Sequence, residues 1–385
     1  MITDSLAIFT VLWAVVLFAL YLVGAFPWAR RMSTILWVLF TSALLSNAGL
    51  IPTDAPIYGA VVDFTVPFAV CLILFKVDLS DIRSAGRPML VAFALACAGT
   101  AIGVVIANVT TVSLFADLLG DDAWKLAGPY TGTYIGGSLN FVALWSGLQI
   151  ENQDLFAAAN AVDNLALFPL YALWVAVPAF LARRYATAKQ WAVPEEEDER
   201  IDRPAPRFDV WHVAALVGTA LAVMAVSTWI KAEWVDRVAP AVPGILIVTT
   251  LALIAGQIPA VRRLEGAWEL SELVFLAFFA SIGAQMNFYL AVVLSPALFL
   301  YVAIVVVFDV LFVYGIGWAM RMDPRVLTIA QVAAKSGPAM VLPLAETLGS
   351  RHLVLAGLIV AMLGYALGNY AGFAVAQIVR LMLGG

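Results

Sequence analysis

Charge is scarce in this 385-residue chain: Asp, Glu, Lys and Arg together make up 12% of it, against 63% hydrophobic residues. Soluble domains carry about 25% charged and roughly 45–50% apolar residues, so a water-soluble globular fold is excluded. Cysteine and histidine are nearly missing, with two of each. Cys71 and Cys97 sit inside apolar blocks without ligand spacing, and His212 and His352 border helices. A disulfide scaffold, a metal site or a haem pair is therefore not expected. There is no phosphate-binding loop, no HExxH pair, no GxSxG elbow and no carboxylate pair with a histidine in a membrane segment. An enzyme or a nucleotide-driven pump is thereby set aside, and no organic cofactor is implied. The net charge of −5 is small for the length and forms no basic patch, so no nucleic-acid partner is expected.

What is abundant is apolar sequence in blocks of crossing length, about 20 residues for some 30 Å of hydrocarbon. Ten blocks read as full crossings: 6–26, 33–51, 57–76, 88–109 and 153–182, then 210–230, 243–260, 270–289, 296–320 and 352–382. The first is too long for a signal-peptide core and has no cleavage site. Two apolar stretches, 122–149 and 324–349, are broken by Pro129, Gly132, Gly136 and Gly137 in one and by Gly337, Pro338 and Pro343 in the other. Glycine and proline so placed interrupt helices. The acidic, proline-containing stretch 183–208 reads as a solvated cytoplasmic linker. Tryptophans and tyrosines at block ends, such as Trp28, Tyr58 and Trp234, read as interfacial anchors.

If each broken segment dips in and returns on one side, Arg30, Arg31, Lys76, Arg83, Arg87, the linker, Arg262, Arg263, Arg321, Arg325 and Arg351 share a face. That face is the cytoplasm by the positive-inside rule. A long broken crossing helix remains the alternative. The re-entrant reading predicts an all-α polytopic membrane protein of two inverted-topology repeats, 1–182 and 209–385. Each repeat has five transmembrane helices and one re-entrant segment, an arrangement of secondary transporters with the site near the midplane.

The first broken segment offers Thr131, Gly132, Thr133, Gly136, Gly137, Ser138 and Asn140. Non-helical backbone at membrane depth must face protein, water or ligand. A half-helix starting near Ser138 would aim free N–H groups at an anion. The second segment offers Ser336 and Gly337 beside Lys335, a lysine in an apolar setting that costs roughly 3 kcal/mol unless paired or wetted. Lys335 could meet a substrate carboxylate, stand in for a coupling cation, titrate, or form a structural ion pair. Asp163, flanked by Asn160 and Asn164, is the first choice for its partner and for ion or proton coupling, ahead of Asp63, Asp309 and Glu346. Gly364, Gly368 and Gly372 form a packing stripe, and Asn369 beside it is placed in reach of the site.

At TGTYIGGSLNFVAL (131–144), LILFKVDLSDIR (72–83), FFASIGAQMN (278–287) and LGYALGNYAG (363–372) the chain resembles a bacterial integral membrane family, domain-of-unknown-function family 819. The resemblance covers nearly the whole chain. That family looks related to sodium/glutamate and bile-acid/sodium symporter-type transporters, which implies elevator-style transport, an inner-membrane location and a homodimer. The family's second broken segment carries asparagines before paired glycines, whereas this chain has Val332, Ala333, Ala334, Lys335, Ser336 and Gly337. The expectation is thus a secondary transporter of a small anionic organic solute coupled to protons or sodium, its partners being the solute and the bilayer. A passive pore or a non-transporting scaffold is the alternative.

Overall fold

The computed structural model describes residues 4–29, 34–184, 187–191, 209–286 and 288–384. Most of the linker, and Arg30 and Arg31, lie outside them. Among the described residues every regular element is helical. In the first half these are α1 (Ser5–Ala25), α2 (Thr34–Asn47), α3 (Pro56–Leu74), α4 (Gly86–Leu119), α5 (Ala127–Gly136), α6 (Ser138–Gly147) and α7 (Gln153–Ala182). The second half has α8 (Val210–Ile230), the short α9 (Asp236–Val238), α10 (Gly244–Gly256), the short α11 (Pro259–Arg262), α12 (Ala267–Gln285), α13 (Phe288–Ala319), α14 (Pro324–Ser336), α15 (Pro338–Thr347) and α16 (Val354–Leu383).

Eight of the ten expected crossings are helices long and apolar enough to span a membrane. The other two, α2 and α10, are the second helix of each half and have 14 and 13 residues. That is about 20 Å of helix, short of the hydrocarbon thickness. Their apolar blocks overstate them because Gly49 turns at φ +76° and leaves Leu50 and Ile51 outside α2, while Pro243 and Pro259 bracket α10.

The helices are apolar on more than one face. On α1 the stripe Ile8, Leu12, Val15, Ala19 and Leu22 is buried, yet Leu6, Leu17 and Tyr21 on its other side are 65–73% exposed. Trp211, Trp229 and Trp234 at α8, and Leu311 and Trp318 on α13, are exposed in the same way. Apolar side chains in such numbers on an outer surface face lipid. Trp28 is 54% exposed, as an anchor requires, but Tyr58 is fully buried and donates to the Pro52 carbonyl at 2.8 Å. Tyr58 is a core residue and not an anchor.

Two groups of helices result. In one, α3 and α2 pack on α12, α10 packs on α3, and α1 and α8 flank them. In the other, α13 packs on α4 and α7, and α16 runs beside α4, α5 and α14. At one end of the first group α3 and α10 are stapled. Gln257 donates to the Val77 carbonyl at 3.0 Å, Lys76 donates to the carbonyl of Arg262, and Arg262 pairs with Asp78. Desolvation lowers the Lys76 pKa, and the Ser80 hydroxyl, followed by Arg262, holds the Asp78 carboxyl below its usual range.

The broken segments settle in the second group, and each folds back on itself. A Cβ built on Gly132 would lie 2.5 Å from Leu144, and one built on Gly357 would lie 2.6 Å from Ile329 and 2.7 Å from Val341. Residues twelve apart in a straight helix are separated by about 18 Å, so α5–α6 and α14–α15 are helical hairpins. Their turns fall at Gly137 (φ +76°) and Gly337 (φ +63°), backbone that favours glycine.

The glycines of α16 determine where the hairpins lie. Gly357 faces Ile329 and Val341, Gly364 faces the Ile135 carbonyl, Gly368 faces Asn140 and Gly372 faces the Gly128 carbonyl. From its start, α16 therefore follows hairpin α14–α15 to its tip and then hairpin α5–α6 from tip to base. A Cβ at Gly368 would sit 2.5 Å from the Asn140 amide, whereas one at Gly218 on lipid-exposed α8 meets nothing within 4 Å. Gly368→Ala should destabilise by about 1–3 kcal/mol through overpacking, and Gly218→Ala should be neutral or stabilising. Thermal unfolding in detergent checks the contrast, and equal effects would contradict this packing.

Candidate functional site

Two tips meet at the middle of α16. A Cβ on Gly137 would lie 3.8 Å from the Gly337 backbone nitrogen, and the Tyr365 ring stands beside both turns. From there Tyr365 reaches Trp268 on α12, ring centroids 5.7 Å apart, so the junction borders the first helix group. Four half-helix ends converge here. The carbonyl ends of α5 are satisfied, since Gly137 N–H donates to Thr133 O at 2.7 Å and the Asn140 amide donates to Gly136 O at 2.8 Å. The starts of α6 and α15 have no side-chain cap. Asn140 N–H donates to Gly137 O at 3.0 Å and Pro338 opens α15 without an N–H, so the remaining first-turn N–H groups and the positive dipole ends of two ten-residue helices face the junction, an arrangement that favours an anion.

Asp163 on α7 is buried and accepts from the Thr133 hydroxyl at 3.2 Å. Asn160, one turn earlier, is buried too; the side chain of Asn164 lies outside the described residues. Thr131, two residues from Thr133, is fully buried, and its hydroxyl has no hydrogen-bond partner in the protein. Gly132, Gly136 and Gly137 serve the close packing just described, and Ser138 and Ser336 are partly exposed at the two tips.

Lys335 does not pair with Asp163. Its ammonium lies 2.7 Å from Asp309 Oδ2 on α13, and both side chains are wholly buried. The Thr100 hydroxyl of α4 lies 3.3 Å from the other carboxylate oxygen and 3.4 Å from the Tyr134 carbonyl of hairpin α5–α6. At that distance the contact is charge-assisted, and the ammonium makes no second bond within the protein. One turn back, Gln331 accepts from the Trp174 indole of α7 at 3.0 Å, and its amide nitrogen is unpartnered.

The remaining candidates lie elsewhere. Asn369 is buried and donates to Thr249 on α10 at 2.9 Å, so it joins the two helix groups and does not face the tips. Glu346 pairs with Arg351 at the surface, and Asp63 is exposed on α3. Sequence reasoning missed Tyr365, Thr100 and Gln331, and ranked Asp309 too low. Asp309 gave no signal beyond being an acid among apolar neighbours. Among the described residues no group of three metal-ligating side chains gathers anywhere.

These features define a multi-pass α-helical membrane protein with two hairpins meeting tip to tip. The chain belongs to the family described as "Protein of unknown function (DUF819)", whose model matches residues 7–382. It is also similar to the "Uncharacterized membrane protein YjcL" of Bacillus subtilis (strain 168), 27% identical over 384 residues covering 94% of this chain and 93% of that protein.

Removing one partner of a buried ion pair strands the other charge at about 3–5 kcal/mol, whereas replacing both with apolar residues is often neutral or better. Lys335→Met should therefore destabilise strongly, and Lys335→Met with Asp309→Leu should regain most of the loss. Unfolding in detergent decides; a single variant as stable as the native protein would remove the pairing.

Proposed function

We propose that the protein is a secondary transporter that moves a small anionic organic solute by alternating access, with the solute held where the hairpin tips meet. One observation carries this reading: two uncapped half-helix starts meet at one junction beside the other helix group, and each hairpin carries a buried polar pair within four residues of its tip, Lys335 with Asp309 and Thr133 with Asp163. A buried polar atom left unmade costs about 1–3 kcal/mol. Thr131 Oγ1, Ser336 Oγ and Gln331 Nε2, all on the hairpins, have no hydrogen bond within the protein. A solute with carboxylate oxygens offers acceptors to such donors.

The inverted repeat is part of the same proposal, and paired contacts support it. The α2–α12 packing has its counterpart in α10–α3, α1–α12 in α8–α3, and α7–α13 in α16–α4, while α3–α12 and α4–α13 are their own counterparts. Asn47, just inside the end of α2, donates to the Met286 carbonyl after α12 at 2.8 Å. Gln257, just past the end of α10, does the same to Val77 after α3. The hairpins then enter from opposite faces, with Lys76, Arg262, Arg325 and Arg351 on the cytoplasmic one. In this reading the second helix group slides along the first, and the lysine–aspartate and aspartate–threonine contacts are where protons or a cation couple to the solute. A bacterial inner membrane and a dimer formed through the first group complete the proposal.

In liposomes, the purified protein should accumulate at least one of labelled succinate, glutamate or lactate under an imposed proton or sodium gradient. The Lys335→Met, Asp309→Leu double variant should fold and show only the protein-free background. Absence of uptake and of any response to either gradient in the native protein would overturn the reading, and full transport by the double variant would remove the pair from it.

A further inference from the structure

On the side of hairpin α5–α6 a cleft of about 560 Å3 opens between the two helix groups. Its walls combine Asp63 of α3, Ser146 at the hairpin base, Lys231 after α8, the start of α10 at Gly244, and Arg380 near the end of α16, with Lys125 beside Trp124. Asp63 stands in the middle of an apolar spanning helix and is nevertheless exposed. An acid at that depth belongs to a water-filled cavity rather than to lipid, so the cleft is wet.

Three cations and one acid line the cleft, and two of the cations are ion-paired just outside it, so Arg380 is the cation whose charge no carboxylate answers among the described residues. Lys125 and Lys231 have carboxylate partners, Asp122 and Asp236, and neither partner is part of the lining. Their side chains are only 16% and 28% exposed. Arg380 has no carboxylate partner among the described residues; its guanidinium lies 5.3 Å from the Trp124 ring centroid. The first turn of α10 adds uncapped N–H groups at Gly244.

An unpaired cation inside low-dielectric walls focuses the field and concentrates counter-ions, and Arg380 supplies one in the same cleft as the uncapped start of α10. We propose that this cleft is an entry vestibule that binds small organic anions, with Arg380 drawing them in ahead of the tip junction and the paired Lys231 and Lys125 offering further donors. The lining mixes apolar side chains such as Val66, Met224 and Ile245 with the polar Ser146 and Gln149, which suits an organic anion with both a charged and an apolar part. Capture in the cleft is a statement about its field; onward passage to the tips rests on the transporter reading above.

The test requires no transport. Ser146 is exposed in the cleft, whereas Cys71 is buried and Cys97 partly so. Ser146→Cys can therefore be labelled in purified protein held in neutral detergent, with the unmodified chain as background. The probes are an anionic sulfonatoethyl and a cationic trimethylammonioethyl methanethiosulfonate, each rate divided by its rate with free cysteine. The anionic reagent should be favoured by about tenfold, and Arg380→Gln or Lys231→Gln should each cut the preference several-fold, as should raised salt. Thr228→Cys supplies a second reporter should Ser146→Cys fold poorly. A ratio near or below one, or a ratio unchanged by both charge removals, would overturn the vestibule. A favourable ratio with no uptake in liposomes would leave the vestibule standing and sink the transporter reading instead.

Discussion

A chain that turns back halfway through a membrane leaves peptide groups where lipid can satisfy none of them. Both broken segments face this constraint, and the rest of the fold is arranged around it. Each turn is made by a glycine in a conformation that other residues resist, and each tip is covered by the other tip and by Tyr365. Hairpin α5–α6 closes its own carbonyl ends through Gly137 and Asn140. What it leaves open are donors. The electrostatic character of the junction follows from which half of that backbone was satisfied internally.

The two hairpins solve their packing differently. Around α5–α6 the neighbours are aromatic: Tyr130 lies 4.8 Å from Tyr301, Phe141 lies 5.7 Å from Phe156, and Phe156 lies 5.7 Å from Phe278 in the first group. Around α14–α15 they are aliphatic, with Ile329, Val341, Leu344 and Val360 buried together. Polar chemistry is divided as well. The first hairpin contributes hydroxyls and backbone, and the second contributes a fully buried ammonium, held by an acid from α13.

Length and composition made the helices legible in sequence, and glycine with proline made the interruptions legible. The errors have physical causes. Apolar runs at 33–51 and 243–260 include residues that belong to turns, so α2 and α10 came out too long. Lys335 needs a partner, and the polar cluster Asn160, Asp163 and Asn164, directly after the first broken segment, is the more conspicuous candidate in sequence. The actual partner, 26 residues earlier on the adjacent helix α13, is surrounded in sequence by Val, Phe and Leu. Tyr365 was hidden inside a glycine stripe whose packing role was evident. Asn369 follows the packing glycine Gly368, and one residue on a helix is a rotation of about 100°, enough to aim it at Thr249 and the other helix group.

Two long helices grip both hairpins, and they do so by opposite means. Along α16 the grip is absence of volume, glycine after glycine admitting a neighbouring backbone. Along α7 it is presence of bonds, Asp163 to Thr133 on one hairpin and Trp174 to Gln331 on the other. The first rod cannot accept an added atom, and the second cannot give up a polar one. Damage to either rod therefore reaches both tips together.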